Sequence, residues 1–234
     1  MKKFRISRTE LPVVWLGTGV FAGAGGFGEL AARYHERFYG DVDFMVEIMS
    51  RAAELGWGIE ALAMENIVRA IDRLKDSYPD VSTAYTCGMT DFVTEVNSAL
   101  KRNPELVFLH ARLTDTSSRE EIDLYFRRIA ESWVFPAAVT HEPLEAAAKL
   151  EDTECRAIAV PPDERGAALE NAVGTVHNYG MAYIARVMPI GDAKNIATGV
   201  HAAVRAGVDA MIIGVTAVEE IDVYMRWLDK MGFL

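Results

Sequence analysis

The sequence has little cysteine, no surplus of positive charge and no long apolar run. Two of its 234 residues are cysteines, too few for a disulfide framework or a cysteine-rich zinc site. Lysine and arginine number 24 against 34 aspartates and glutamates, which gives a formal net charge of −10. This balance excludes the basic footprint that nucleic acids and anionic membrane surfaces require. No apolar stretch reaches the ~18 residues of a membrane span.

The opening residues 1–12 lack the apolar core of a secretory signal. Together with the cysteine count, this predicts a cytoplasmic protein. At about 100–200 residues per domain, the chain forms one large domain or two small ones. Because no linker rich in proline or serine divides it, we expect one domain over residues 1–234.

A short apolar run followed by a stretch with helical spacing recurs along the chain. The runs that read as strands are 12–17, 59–63, 81–86, 106–110, 135–140, 156–160, 181–186 and 210–214. The helical stretches are 43–55, 65–75, 90–100, 117–129, 201–206 and 218–231. Such alternation predicts a parallel sheet, and eight units fit a compact (β/α)8 TIM barrel. A doubly wound open sheet is the alternative. We favour the barrel because no Gly-x-Gly-x-x-Gly turn convincingly opens a strand–helix pair.

Four short segments, in the right order along the chain, resemble the aldo-keto reductases. Residues 4–19 resemble the family's opening hairpin and first strand, which ends L-G-x-G. Residues 107–110 resemble its fourth strand, 188–191 the turn after strand seven, and 212–221 the last strand with the cofactor-side turn. The resemblance implies a barrel with a short N-terminal hairpin, an NADP cofactor and a small carbonyl substrate.

The family's catalytic tetrad of Asp, Tyr, Lys and His is matched only in part. His110 matches the histidine, which orients the carbonyl in the family, and Glu60 stands where the aspartate is expected. No tyrosine follows Glu60, and residues 84–88 replace the Thr-Lys of the third strand. The missing tyrosine and lysine would remove general-acid chemistry that contributes ~10²–10⁴-fold. The resemblance therefore bears more on the fold than on the reaction.

Catalytic groups of a barrel lie where its strands end at the carboxyl side. His110 and Arg112 share one side if the fourth strand continues, so His110 could orient or protonate a carbonyl while Arg112 binds an anion. The alternative is a buried histidine and a salt-bridged arginine. His141 follows strand five, and with Glu60 it completes our catalytic candidates. Two histidines and a carboxylate could also bind a metal, but their spacing is not diagnostic and we predict none.

An anion site is expected after strands seven and eight, where many barrels bind phosphate. The candidate residues are those that end these strands or follow them in the loops. Thr216, which we take as a helix N-cap, could donate its hydroxyl to a phosphate. An ordinary capped loop and a surface lysine are the alternative. The full set is Arg186, Gly191, Lys194, Gly214 and Thr216.

The glycine-rich segment 17–28 is the most unusual stretch of the chain. Glycine permits close backbone approach to a ligand, so we assign Gly17 and Gly19 to ligand binding in a long loop that acts as a lid or clamp. A flexible connection or a subunit contact is the alternative. Cys87 could be a nucleophile near His110, although a buried core thiol is favoured.

Three functions remain open at this stage. The first is a nicotinamide-dependent oxidoreductase acting on a small carbonyl compound. The second is a non-redox lyase or isomerase that binds phosphate and uses Glu60, His110 or His141 as acid and base. The third is an inactive barrel that keeps a pocket or a subunit interface. The partner that we expect is a small anionic ligand, and a homo-oligomer is an open possibility.

Overall fold

The computed structural model describes residues 2–24, 27–161, 167–188 and 193–234, with the backbone alone for 193–196. A two-stranded antiparallel hairpin comes first, formed by β1 (Lys3–Ile6) and β2 (Thr9–Pro12). Ser7 turns the chain between them with a positive φ of 54°. The expected N-terminal hairpin is confirmed.

Eight parallel strands follow and close into a barrel, in the order β10-β3-β4-β5-β6-β7-β8-β9. The pairing of β10 with β3 closes the sheet, so the fold is the (β/α)8 TIM barrel and the open doubly wound sheet is wrong. Every strand predicted from the sequence begins and ends within two residues of an observed one. The strands are β3 (Val14–Gly17), β4 (Gly58–Leu62), β5 (Thr83–Cys87), β6 (Leu106–Leu109), β7 (Phe135–Val139), β8 (Ala157–Val160), β9 (Ala182–Val187) and β10 (Ala210–Gly214).

Helices connect the strands and cover the barrel. They are α1 (Gly19–Ala22), α2 (Leu30–Tyr34), α3 (Val42–Glu54), α4 (Glu65–Ser77), α5 (Phe92–Leu100), α6 (Ala111–Thr116), α7 (Arg119–Ala130), α8 (Pro143–Lys149), α9 (Ala167–Asn178), α10 (Ala193–Ala206) and α11 (Val218–Lys230). All six predicted helices are found, and Ser118 and Glu121 form the expected capping box of α7. The sequence did not predict α1, α2, α6, α8 and α9, which are short or built largely of small residues. None of the helices in the described residues is long and apolar enough to cross a membrane.

The segment after β3 differs from the long loop that its glycines predict. Over the described residues 17–24 and 27–41, it forms the buried turn α1, the helix α2 and a π-helical turn at 35–39. A Cβ on Gly23, where φ is +62°, would lie 2.1 Å from the Ala31 carbonyl oxygen. His35 Nδ1 lies 3.0 Å from the Ala22 carbonyl oxygen, and the Asn66 amide donates to the Tyr39 carbonyl at 3.0 Å. Close packing between these helical turns therefore accounts for the glycine at position 23.

The strand register determines which side chains fill the barrel. Trp15 on β3 pairs with Gly58 on β4, and a Cβ on Gly58 would lie 2.3 Å from the Trp15 ring. The indole is 1% exposed and donates to the Pro12 carbonyl at 2.7 Å. Since side chains alternate along a strand, Gly17 and Glu60 share the inward face with Trp15 and Gly58. The amino end of the barrel interior is thus packed with apolar groups, and polar side chains lie toward the carboxyl end of the barrel.

Substitution of Gly58 by alanine should destabilise the fold. The added methyl group would overlap the buried Trp15 ring, and overpacking of this kind costs about 1–3 kcal/mol. Gly174 of α9 is the matched control, because it is exposed in a helix with no atom within 4 Å of an added Cβ. Gly174→Ala should stabilise by about 0.5–1 kcal/mol through helix propensity. Urea unfolding midpoints measure both, and a Gly58→Ala midpoint at or above that of the unsubstituted chain would contradict the packing.

Candidate active site

A buried ion pair crosses the barrel interior near its carboxyl end. Arg186 Nη1 lies 3.4 Å from Glu60 Oε1, and Nη2 lies 3.5 Å from Oε2. The Glu60 side chain is 0% exposed and that of Arg186 is 13% exposed. Because β3 and β10 separate β4 from β9 in the barrel, this contact can only run through the interior. The structure therefore brings together two of the predicted site residues.

Glu60 is held from two further directions. The Thr86 hydroxyl of β5 donates to Glu60 Oε1. The Thr18 backbone N–H donates to the Glu60 carbonyl at 3.0 Å, and the Thr18 hydroxyl accepts from the Leu62 N–H at 2.9 Å. The carboxylate and its strand are thus held firmly at the end of β4.

Gly17 and Gly214 stand opposite each other in register at the ends of β3 and β10. A Cβ on Gly17 would lie 2.7 Å from Ile212 Cγ2 and 3.6 Å from Glu60 Oε2. Packing against Ile212 therefore requires a glycine at position 17. Gly19 lies in the buried turn α1, where an added Cβ would come 3.2 Å from the Ala24 carbonyl oxygen. The assignment of these glycines to ligand binding stays a prediction.

His110 follows β6 directly and occupies the N-cap position of α6. Its Nδ1 accepts from the Arg112 backbone N–H at 3.2 Å, so in the neutral ring the proton is on Nε2. Burial lowers the pKa of His110, and the positive charges of Arg186 and Arg112 lower it further, against opposing effects of Glu95 and Glu60. At neutral pH the imidazole is therefore uncharged and offers an Nε2–H donor.

Arg112 is exposed, and its guanidinium is held by the neighbouring loop. Its Nη2 donates to the Gly88 carbonyl oxygen at 3.1 Å. Arg112 and Arg186 both act on the His110 pKa, so the three groups share one electrostatic environment. Two cations beside a neutral donor would suit a small anion that also carries a carbonyl.

At the predicted phosphate site, the structure differs from the expected helix N-cap, and the assignment of these residues to anion binding stays a prediction. Ala217, not Thr216, is the N-cap of α11. The Thr216 N–H and hydroxyl donate to the Glu220 carboxylate at 2.6 and 2.8 Å. Because the Glu220 side chain extends back from the first turn of α11, its carboxylate already accepts from both donors of Thr216. Gly191 and the side chain of Lys194 lie outside the described residues.

His141 lies at the same end of the barrel, in the turn between β7 and α8. Its side chain is exposed, and its backbone N–H donates to Asp115 Oδ2 at 3.2 Å. The Thr140 hydroxyl donates to the other oxygen of Asp115 at 2.5 Å. Among the described residues, His141 does not join His110 and Glu60 in a group that could hold a metal ion. Its catalytic role stays a prediction.

Cys87 is fully buried, and burial raises the pKa of its thiol far above the physiological range. It follows Thr86, whose side chain points inward to Glu60, so the thiol lies on the outer face of β5. These features agree with a core thiol rather than a nucleophile.

Four polar residues of this region were not among the sequence candidates: Thr86, Glu95, Asp115 and Glu220. Three of them are carboxylates that accept hydrogen bonds from the ends of strands. For Glu95 and Glu220, a glutamate in the first turn of a helix that follows a strand was the available signal. Thr86 gave none, because its contact with Glu60 depends on the pairing of β4 with β5.

No protein-family model matches the chain, and comparison with curated proteins finds no significant match. Solved structures do resemble it. The holo form of the aldo-keto reductase AKR11C1 from Bacillus halodurans superposes with a TM-score of 0.68 at 13% identity, over 98% of this chain and 91% of that one. The chain therefore shares the (β/α)8 barrel fold of this reductase. This confirms the resemblance at the level of fold.

Barrels of other activities are similar to a comparable degree. A truncated 3-deoxy-D-arabino-heptulosonate 7-phosphate synthase from Thermotoga maritima gives a TM-score of 0.65 at 9% identity, covering 99% of this chain and 90% of that one. The carboxyl transferase domain of Rhizobium etli pyruvate carboxylase with pyruvate gives 0.66 at 14%, covering 97% of this chain and 47% of that one. At such identities the comparisons show a shared fold and no shared activity.

Removal of the Arg186 side chain alone should destabilise the fold. Arg186→Met leaves the Glu60 carboxylate buried without its cation, and loss of one partner of a buried pair costs about 3–5 kcal/mol. The double variant Glu60→Gln with Arg186→Met removes both charges and should recover most of that loss. Urea unfolding of the two proteins tests this. Equal stabilities would show that the pair carries no interaction across the interior.

Proposed function

We propose that the chain is a non-redox enzyme, a lyase or isomerase that acts on a small carboxylate bearing a carbonyl group. The observation that carries this proposal is the position of His110, a neutral Nε2–H donor in the field of two guanidinium groups. The substrate would bind at the carboxyl end of the barrel, where the chemistry of such folds is found.

Arginine suits the carboxylate of this substrate because its planar donors match two carboxylate oxygens. Glu60 already faces Arg186, so the charge of that guanidinium is largely balanced. Among the described residues, Arg112 forms no ion pair with a carboxylate, and its contact with Gly88 occupies one nitrogen. We therefore assign the substrate carboxylate to Arg112 first, with Arg186 deeper in the interior.

The proposed step is removal of a proton from the carbon beside the carbonyl. The C–H bond breaks, the proton passes to a carboxylate oxygen of Glu60, and the electron pair moves onto the carbonyl oxygen. The Nε2–H of His110 stabilises the negative charge that develops there, as a donor aimed at an oxyanion does. Thr86 and Arg186 keep the Glu60 carboxylate oriented during the transfer.

Reduction by NADPH is the second candidate, favoured by the similarity to the holo aldo-keto reductase. The described residues do not fit NADPH-dependent reduction well. The Glu220 carboxylate occupies the Thr216 donors where a nucleotide phosphate was expected, and it would repel that phosphate. Thr86 of β5, rather than a lysine, donates to Glu60 in the strand that carries the family's lysine. We therefore derive no redox step.

Pyruvate in D2O provides a direct assay of the proposed step. The enzyme should exchange the methyl protons of pyruvate for deuterium, which proton NMR follows without any co-substrate. His110→Ala should abolish the exchange, at a cost of about 10²-fold or more for a donor to the developing oxyanion. Cys87→Ala should leave it unchanged, since the thiol lies outside the site. Full exchange by the His110 variant would contradict the assignment.

Fluorescence titration with NADPH and NADH separates the two candidates. We expect no saturable binding up to millimolar concentration, because Glu220 opposes a phosphate at Thr216. Trp15 or Trp57 would report binding by energy transfer. Saturable micromolar binding of NADPH would overturn the non-redox proposal and support the reductase.

A further inference from the structure

We infer that Glu95 is a positioning residue of this site. It fixes the orientation of the Arg112 guanidinium through the peptide group between Gly88 and Met89. This inference rests on the proposed role of Arg112 in binding the substrate carboxylate. Neither the reductase resemblance nor the candidates found in the sequence include Glu95.

The Glu95 carboxylate accepts five hydrogen bonds from the loop between β5 and α5. Its Oε2 accepts from the N–H groups of Gly88 and Met89 at 2.5 and 3.0 Å. Its Oε1 accepts from the Thr90 N–H at 2.8 Å, the Thr90 hydroxyl at 2.7 Å and the Asp91 N–H at 3.2 Å. Consecutive N–H groups that converge in this way form an anion-binding nest. The chain fills this nest with its own carboxylate.

One peptide group of the loop joins Glu95 to Arg112. Its carbonyl, on Gly88, accepts from Arg112 Nη2 at 3.1 Å, and its N–H, on Met89, donates to Glu95 Oε2 at 3.0 Å. Hydrogen bonds in such a chain polarise and strengthen one another. The negative charge of Glu95 therefore strengthens the carbonyl as an acceptor for the guanidinium.

Gly88 gives this peptide an orientation that other residues cannot provide. Its φ is +97°, and an added Cβ would lie 2.4 Å from Leu113 Cδ1. The loop is thus packed against α6, the helix that carries Arg112. Glu95 is only 8% exposed, so its contacts are shielded from water. Burial alone would raise the pKa of Glu95, but the donors of Thr90, Gly88 and Met89 lower it overall, which keeps the carboxylate charged.

A double-mutant cycle with oxalate as the probe tests this inference. Oxalate is a small dicarboxylate, and its affinity is measured by calorimetry for the unsubstituted chain, Glu95→Gln, Arg112→Ala and the double variant. We expect Glu95→Gln to weaken binding about five-fold to ten-fold when Arg112 is present. In the Arg112→Ala background the same substitution should change affinity less than two-fold. Additive losses would overturn the inference.

Asp91→Asn is the matched control. The Asp91 side chain caps the same helix by accepting from the Val93 N–H at 3.1 Å and the Thr94 hydroxyl at 2.5 Å, without touching Gly88. This variant should lose some stability and keep the affinity for oxalate. If Glu95→Gln does not fold, Glu95→Asp keeps the charge with a shorter reach, and its smaller loss should likewise require Arg112. A loss of affinity in Asp91→Asn equal to that in Glu95→Gln would overturn the inference.

A second measurement needs no ligand. The guanidinium NMR signals of Arg112 in the free protein should show restricted rotation, which Glu95→Gln should remove and Asp91→Asn should preserve. If the unsubstituted chain binds no oxalate, the proposed function fails, whereas this signal still decides whether Glu95 holds Arg112. Identical Arg112 signals in the unsubstituted chain and Glu95→Gln would overturn the positioning role.

Discussion

The buried pair of Glu60 and Arg186 is the interaction on which the polar half of the barrel interior depends. A fully buried carboxylate is tolerated only with compensating charge and hydrogen bonds, and here Arg186 and Thr86 provide them. Strands β4, β5 and β9 must therefore keep their register at this level, because a one-residue shift would turn each of these side chains to the outer face. Gly17 leaves room beside the carboxylate. His110 and Arg112 follow β6, and the pKa of His110 depends in part on the same pair.

Carboxylates organise the carboxyl end of the barrel in a second way. Glu95, Asp115 and Glu220 each accept backbone N–H groups from the ends of strands. These donors would otherwise offer binding positions for an external anion, as N-termini of helices often do. Because the described backbone donors are occupied, the function proposed above assigns recognition of a negatively charged ligand to side-chain cations. This is the physical reason why the predicted phosphate position at Thr216 and the proposed site at Arg112 differ.

Much of the architecture was predictable, because hydrophobic periodicity is a local property. The eight strands follow from apolar runs of five or six residues, and the helices α3, α4, α7 and α11 follow from apolar residues repeating on one face. The segment after β3 was not predictable, since Gly23 marks a close packing contact with Ala31 that has no signature in sequence. For the candidate site, the sequence predicted individual residues but not the contacts between them. His110, Arg112, Glu60 and Arg186 could be found as polar residues at strand ends. Their partner Thr86 gave no such signal, and the one signal for Glu95 was its place in the first turn of α5.

The sequence by itself determined the alternation of strand and helix, the residues that end each strand and the outward position of the charged helix faces. These depend on interactions between residues close in the chain. The tertiary structure decided which strand ends meet. Glu60 and Arg186 are 126 residues apart, and only closure of β10 on β3 brings their strands across one interior. It likewise decided that His110 is a neutral donor, because burial and two cations from different elements set the pKa of its ring.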